Sequence, residues 1–118
     1  MCGILVSFDR ELNLDCLAHR GPDAQGIVRR GHLAVGHTRL AILDLDHRSD
    51  QPFVYRDVLL SYNGELWNYQ NLRDQLEDLG HNFNTTGDTE VFAVALAQWG
   101  TDALPRLHGM FAAAWTTD

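Results

Sequence analysis

The stretch from Val58 to Trp99 limits most tightly what this chain can fold into. Val58-Leu59-Leu60-Ser61-Tyr62 is a continuous run of strand length. Immediately afterwards the apolar spacing changes. Leu66, Tyr69, Leu72, Leu76 and Leu79 recur at helical intervals, and Gly80 stands where a helix-ending glycine belongs. A second helix is predicted from about Thr89 to Trp99 and stopped by Gly100; Asp88 is placed to cap it, with Gly87 and Thr86 as alternatives. Asn63-Gly64 ordinarily marks a hairpin. Here helical spacing follows, so the pair is expected to join a strand to a helix. Backbone N–H groups at such a junction are free to bind an anion, and the Asn63 side chain offers a further donor.

The rest of the chain supplies strands on both sides of that stretch. Cys2 to Phe8 reads as a short apolar strand, Asp9 to Asn13 as a polar turn, and Leu14 to Ala18 as a single helical turn. His19-Arg20-Gly21-Pro22-Asp23 is a loop punctuated by Gly-Pro. A hairpin is expected within Gly26 to Val35, turning near Arg30-Gly31. Gly36 to Asp44 reads as a strand or strand exit, and His47 to Pro52 as a loop. Thr101 to Arg106 reads as a short helix limited by Pro105, and Met110 to Trp115 as a strand. The order β, ββ, β, α, α, β favours an α+β domain over a regular βαβ ladder. No repeat, low-complexity stretch or linker divides the 118 residues, so one domain is expected.

Charge and composition narrow the partners. A net charge of −7 argues against a nucleic-acid backbone or an anionic membrane as the main partner. The two cysteines, Cys2 and Cys16, form neither a C-x-x-C pair nor a metal cluster. The six histidines include no H-E-x-x-H pattern, so no metal site is expected. No run is long enough to span a bilayer, and no signal-type segment opens the chain. A cytoplasmic protein with reduced thiols is expected. Homodimerisation is compatible with the sequence.

Cys2, directly after the initiator methionine, offers an unusual chemistry. Once Met1 is removed, one residue carries both a thiol nucleophile and an α-amine able to serve as its base. An unperturbed α-amine titrates at roughly 7.7–8.0, so a useful fraction is unprotonated near neutral pH. The bland alternative is a buried cysteine that merely starts a strand. Arg39, set among apolar neighbours, suits a bidentate grip on a carboxylate, or else a surface position with a snorkelling stem.

Taken together, Cys2-Gly3-Ile4, His19 to Asp23, Gly36 to Asp44 (GHTRLAILD) and Gln51-Pro52 resemble the amino-terminal glutaminase domain of class II glutamine amidotransferases. The resemblance continues through Asn63 to Asn68 (NGELWN), Gly87 to Val91 (GDTEV), Trp99-Gly100 and Leu107 to Ala112 (LHGMFA), and is greatest to the asparagine synthetase branch. One such motif is weak; the set, in the family's order along nearly the whole chain, is specific. The resemblance implies an N-terminal-nucleophile hydrolase-like sandwich of antiparallel sheets flanked by helices. It implies hydrolysis of L-glutamine to glutamate and ammonia, with the ammonia passed to an ATP-dependent synthetase domain or subunit. Cys2 would be the nucleophile. The Asn63 side chain and the Gly64 N–H would form the oxyanion hole. Arg39 would hold the substrate α-carboxylate, and Asp88 with Glu65 the α-ammonium. The backbone around Leu40, Ile42 and Leu43 would line the pocket. No cofactor is implied in this chain; ATP and magnesium would belong to the synthetase part.

The sequence also departs from the family pattern. The segment before His19 is short, Val6 stands where a glycine is common, and Trp67 replaces the more usual tyrosine. An Arg-Asp-x-x-Gly region and the synthetase domain are absent from these residues, so residues 1–118 are expected to form a partial amidotransferase domain. A trimmed, non-hydrolysing domain that binds glutamine or a partner is the alternative. An N-terminal-nucleophile hydrolase for another amide is a third reading, disfavoured by the pairing of Arg39 with Asp88.

Overall fold

The computed structural model describes residues 2–41 and 50–117, and builds them as two antiparallel three-stranded sheets. The first sheet consists of β1 (Gly3–Phe8), β2 (Ala24–Arg30) and β3 (Leu33–Arg39), in the order β1-β3-β2. The second consists of β4 (Phe53–Tyr55), β5 (Val58–Leu66) and β6 (Gly109–Thr117), in the order β4-β5-β6. The helices α1 (Tyr69–Asp78) and α2 (Asp88–Trp99) lie between β5 and β6 in the chain. Short 3-10 segments run over Leu14–Arg20 and Gly100–Arg106.

The central strands β3 and β5 carry the architecture, because each is covered on both faces. Along β5, Val58, Leu60, Tyr62 and Leu66 join Leu72 and Leu76 of α1 and the apolar residues of α2 in one core. The alternate residues turn toward the first sheet, where the Ser61 hydroxyl donates to the Gly36 carbonyl at 3.1 Å. Residues Asp88 through Leu96 of α2 are all buried, as a helix packed on every side requires. Beyond β3, Leu14 of the first 3-10 segment lies against Gly36, and the Thr38 hydroxyl donates to the Leu17 carbonyl at 3.1 Å.

Two expectations are corrected. Asn63-Gly64 does not join a strand to a helix: it lies inside β5, paired with Ala112 and Phe111 of β6, and the strand continues to Leu66. Gly64 makes this possible. Its φ is +142°, and a Cβ there would sit 2.1 Å from the Met110 carbonyl oxygen, so no other residue fits. The second correction is β4, which falls just after the expected loop. Three residues are too few to show a period; the strand exists because it pairs with Val58–Leu60 and because the Tyr55 hydroxyl meets His81 Nδ1 at 2.7 Å. Among the described residues the other expected strands and helices are present within a few residues; residues 42–44 of the expected Gly36 to Asp44 strand and 47–49 of the expected His47 to Pro52 loop lie outside them. The N-cap position of α2 falls to Gly87, with Asp88 as the first helical residue. Among the described residues no helix is long and apolar enough to cross a membrane.

Candidate active site

A cavity of about 350 Å³ opens where the two sheets meet the start of α2. Cys2, Arg39, Leu40, Asn63, Gly64, Glu65 and Asp88 all line it. The structure therefore brings together every described residue that the sequence singled out. Ile42 and Leu43 lie outside the described residues.

Cys2 immediately precedes β1 and is held from three directions. Its Sγ accepts the Leu40 N–H at 3.3 Å. Its carbonyl accepts from Arg20 Nε at 3.3 Å, and the following Gly3 N–H donates to the Thr38 hydroxyl at 3.1 Å. The stretch His19 to Asp23 thus brackets Cys2. Gly21 lets that loop lie directly on the end of β3: an added Cβ would stand 2.3 Å from the Thr38 carbonyl carbon. Asp23 closes the bracket, accepting the Ala41 N–H at 2.8 Å. The chain from Arg39 to Ala41 is fixed beside the sulfur as a result.

Arg39 is buried at the end of β3 and donates through Nη1 to Asp50 at 2.6 Å. The cavity's cation therefore already has an acidic partner. Opposite in charge is Asp88, only 6% exposed. Its Oδ2 accepts the Tyr62 hydroxyl at 2.7 Å and the Leu66 N–H at 3.1 Å. Glu65 is exposed at the rim, with Trp67 (68% exposed) and Met110 (72% exposed).

The ladder explains how β5 presents donors to this space. Trp67 N–H donates to the His108 carbonyl at 2.7 Å, and hydrogen-bonded pairs alternate along an antiparallel register. Glu65 and Asn63 therefore point their N–H groups at β6, while Tyr62, Gly64 and Leu66 point theirs at the opposite edge. There Gln51 Oε1 takes the Tyr62 N–H at 2.6 Å, and Asp88 takes that of Leu66. The Gly64 N–H lies between these two satisfied neighbours, in a residue that lines the cavity.

Electrostatics fix two buried groups in single protonation states. Burial pushes the Tyr62 phenol far above its usual range, reinforced by the neighbouring Asp88 carboxylate, so the hydroxyl remains a donor. Burial likewise lowers His37 to about 4, against the raising effect of its bond to the Tyr62 carbonyl. His37 is thus neutral near pH 7, and its ring Nε2 lies 2.8 Å from that carbonyl as a donor. Its Nδ1 is buried without a partner among the described residues. Among the described residues no group of His, Cys, Asp and Glu is arranged to hold a metal ion.

Gln51, Tyr62 and Thr89 also line the cavity, although the sequence alone gave none of them a role. Gln51 was visible only as part of a motif. Tyr62 was visible only as the last apolar residue before Asn63.

The match of a glutamine amidotransferase domain family model covers residues 1–118. Asparagine synthetase [glutamine-hydrolyzing] 1 of Bacillus subtilis is 40% identical over 98 residues, covering 81% of this chain and 15% of that protein. Asparagine synthetase [glutamine-hydrolyzing] 3 of the same organism is 36% identical over 130 residues, covering 98% of this chain and 21% of the relative. The chain thus spans about a fifth or less of the length of these relatives. Among solved structures, glutamine phosphoribosylpyrophosphate amidotransferase from B. subtilis superposes with a TM-score of 0.62 at 32% identity, over 75% of this chain and 22% of that one. The fold is accordingly the sandwich of antiparallel sheets with flanking helices that the motifs implied.

Proposed function

The chain belongs to the glutamine amidotransferase domain family, and on that premise we propose that it hydrolyses the side-chain amide of L-glutamine, releasing ammonia for an ATP-dependent synthetase such as an asparagine synthetase. One observation carries the reading: a thiol, a guanidinium, a buried carboxylate and the Asn63-Gly64 segment open on the same cavity. Glutamine is a zwitterion with an amide at its far end, and it needs that set of partners.

In the proposed reaction, removal of Met1 frees the Cys2 α-amine, which takes the thiol proton as Sγ attacks the amide carbon. The Gly64 N–H and the Asn63 side-chain amide donate hydrogen bonds to the oxyanion. One such donor is worth about 10²–10³ in rate in a well-characterised protease. The tetrahedral intermediate collapses, its nitrogen takes the proton back from the α-ammonium, and ammonia leaves a glutamyl thioester. Water, deprotonated by the same amine, attacks the thioester and releases glutamate. Arg39 receives the substrate α-carboxylate beside Asp50, while Asp88 and Glu65 receive the α-ammonium. The Leu40 N–H keeps the sulfur directed into the cavity. Cofactors have no part in these steps.

The test is glutamate release from glutamine, with intact mass confirming the loss of Met1 and Cys2→Ala as control. Turnover abolished in Cys2→Ala is the expected outcome. Tight glutamine binding without turnover, from a chain that begins at Cys2, would instead establish a non-hydrolysing binding domain.

A further inference from the structure

Tyr62 is held by every polar group it has. Its N–H donates to Gln51 Oε1 at 2.6 Å, its carbonyl accepts from His37 Nε2 at 2.8 Å, and its hydroxyl donates to Asp88 Oδ2 at 2.7 Å. These partners come from three separate places: the segment before β4, the strand β3, and the first residue of α2. The ring is fixed as well, with centroids 5.1 Å from Phe92 and 6.3 Å from Phe111. The residue just before Asn63 is therefore set against both sheets and α2. Through its hydroxyl it also sets the orientation of a carboxylate on the cavity wall.

The consequence lies at Asp88. Tyr62 O–H and Leu66 N–H both occupy Oδ2 and fix the carboxylate plane. Oδ1 takes no hydrogen bond among the described residues, although the side chain is nearly buried in the cavity wall. With Oδ2 taken by two donors, Oδ1 is the carboxylate oxygen left open to a ligand in the cavity. We propose that Tyr62 is a positioning residue that turns Asp88 Oδ1 toward the ligand, and so makes the site select amides that carry an α-ammonium group. This rests on the proposed reading of the cavity as a glutamine site. Glu65 is exposed, so a charge there is screened and discriminates less.

The phenol O–H is the one group to remove. Tyr62→Phe keeps the ring between Phe92 and Phe111 and deletes only the bond to Asp88. Two compounds are compared by calorimetric binding and by turnover: glutamine, and the monoamide of glutaric acid, which lacks only the α-ammonium. A charge-assisted hydrogen bond of this kind corresponds to about tenfold in affinity. Tyr62→Phe is expected to raise Kd and KM for glutamine about tenfold, with kcat within about twofold. The monoamide should weaken by less than about twofold, so the preference for glutamine collapses. Equal weakening of both compounds would reduce Tyr62 to a structural residue and overturn the inference; so would an unchanged preference. Should Tyr62→Phe lower the melting temperature too far to assay, 4-aminophenylalanine at position 62, which keeps the shape but donates more weakly than a phenol, is read the same way, with a smaller shift in the same direction expected. Wild-type binding of glutamine without hydrolysis would remove the proposed reaction alone, leaving the binding preference to decide the role of Tyr62. Failure of the wild type to bind glutamine would overturn both.

Discussion

The two halves of the site are built in different ways. The Asn63-Gly64 segment and Asp88 belong to the second sheet and α2, where Leu60, Leu66, Phe92, Val94 and Leu96 share one dense core. Cys2 leads into the first sheet, whose buried apolar side chains among the described residues are only Ala34 and Val35 of β3, with Leu14 of the 3-10 segment against β3, while Val6 is 39% and Phe8 69% exposed. What fixes Cys2 is local and polar instead. Arg20 sits on the Cys2 carbonyl, Thr38 on Gly3, and Asp23 on Ala41. One half gains its geometry from apolar packing, which is strong and non-directional. The other gains it from a few directed bonds, each worth about 1 kcal/mol. The contrast teaches that precise placement of a thiol does not require a large core beneath it.

The sharpest way to break this contrast is to cut into each half. Phe92→Ala removes a fully buried ring and is expected to destabilise by about 3–5 kcal/mol. Val6→Ala in β1 is expected to cost under about 1 kcal/mol. Denaturant unfolding measures both, and similar losses would erase the distinction. Amide exchange should agree, with β5 and α2 opening only globally and β1 and β2 opening at lower free energy.

Acid attacks the joint between the halves. His37 is on β3, its ring bonds to β5, and the folded state holds its pKa at about 4 against an unfolded 6.5. Above 6.5 both states carry neutral His37 and the contact contributes fully. Between 6.5 and 4 only the unfolded chain takes up the proton, so stability falls as pH falls, by up to about 3 kcal/mol. Urea midpoints from pH 7 to pH 4 measure the slope, and His37→Asn should flatten it.

Gly21→Ala tests the bracket alone. The added Cβ meets the backbone of β3, so the loop must move. Glutamine turnover is expected to drop at least about tenfold, equivalent to 1.4 kcal/mol at the transition state, with α2 amide protection unchanged. The smallest effect is expected from Ser61→Ala, which deletes the Ser61 bond to the Gly36 carbonyl at the sheet interface. A loss of about 1 kcal/mol in stability is expected, with KM for glutamine unmoved.

Much of this was legible in the chain itself. Helical spacing marks α1 and α2, apolar runs mark β1, β3, β5 and β6, and Cys2, Arg39, Asn63, Gly64 and Asp88 were all singled out from residue type and motif. These signals are local, because they depend on period and on intrinsic side-chain chemistry. What stayed hidden depends on partners distant in sequence. Nothing near position 62 announces that Gln51, His37 and Asp88 converge on Tyr62, and nothing near position 50 announces that Asp50 reaches Arg39. The helical spacing that follows Asn63-Gly64 points to a strand-to-helix junction, and the pairing with β6 that keeps the segment in β5 is likewise distant in sequence. An Asn-Gly pair suits a turn by its own preferences, and only the carbonyl of Met110, pressed against Gly64, shows why the glycine is there. The sequence determined the parts and their chemistry, since both follow from short-range spacing. The tertiary structure alone decided which donors face the cavity, because that follows from the register of β5 on β6 and from which neighbouring N–H groups are already taken.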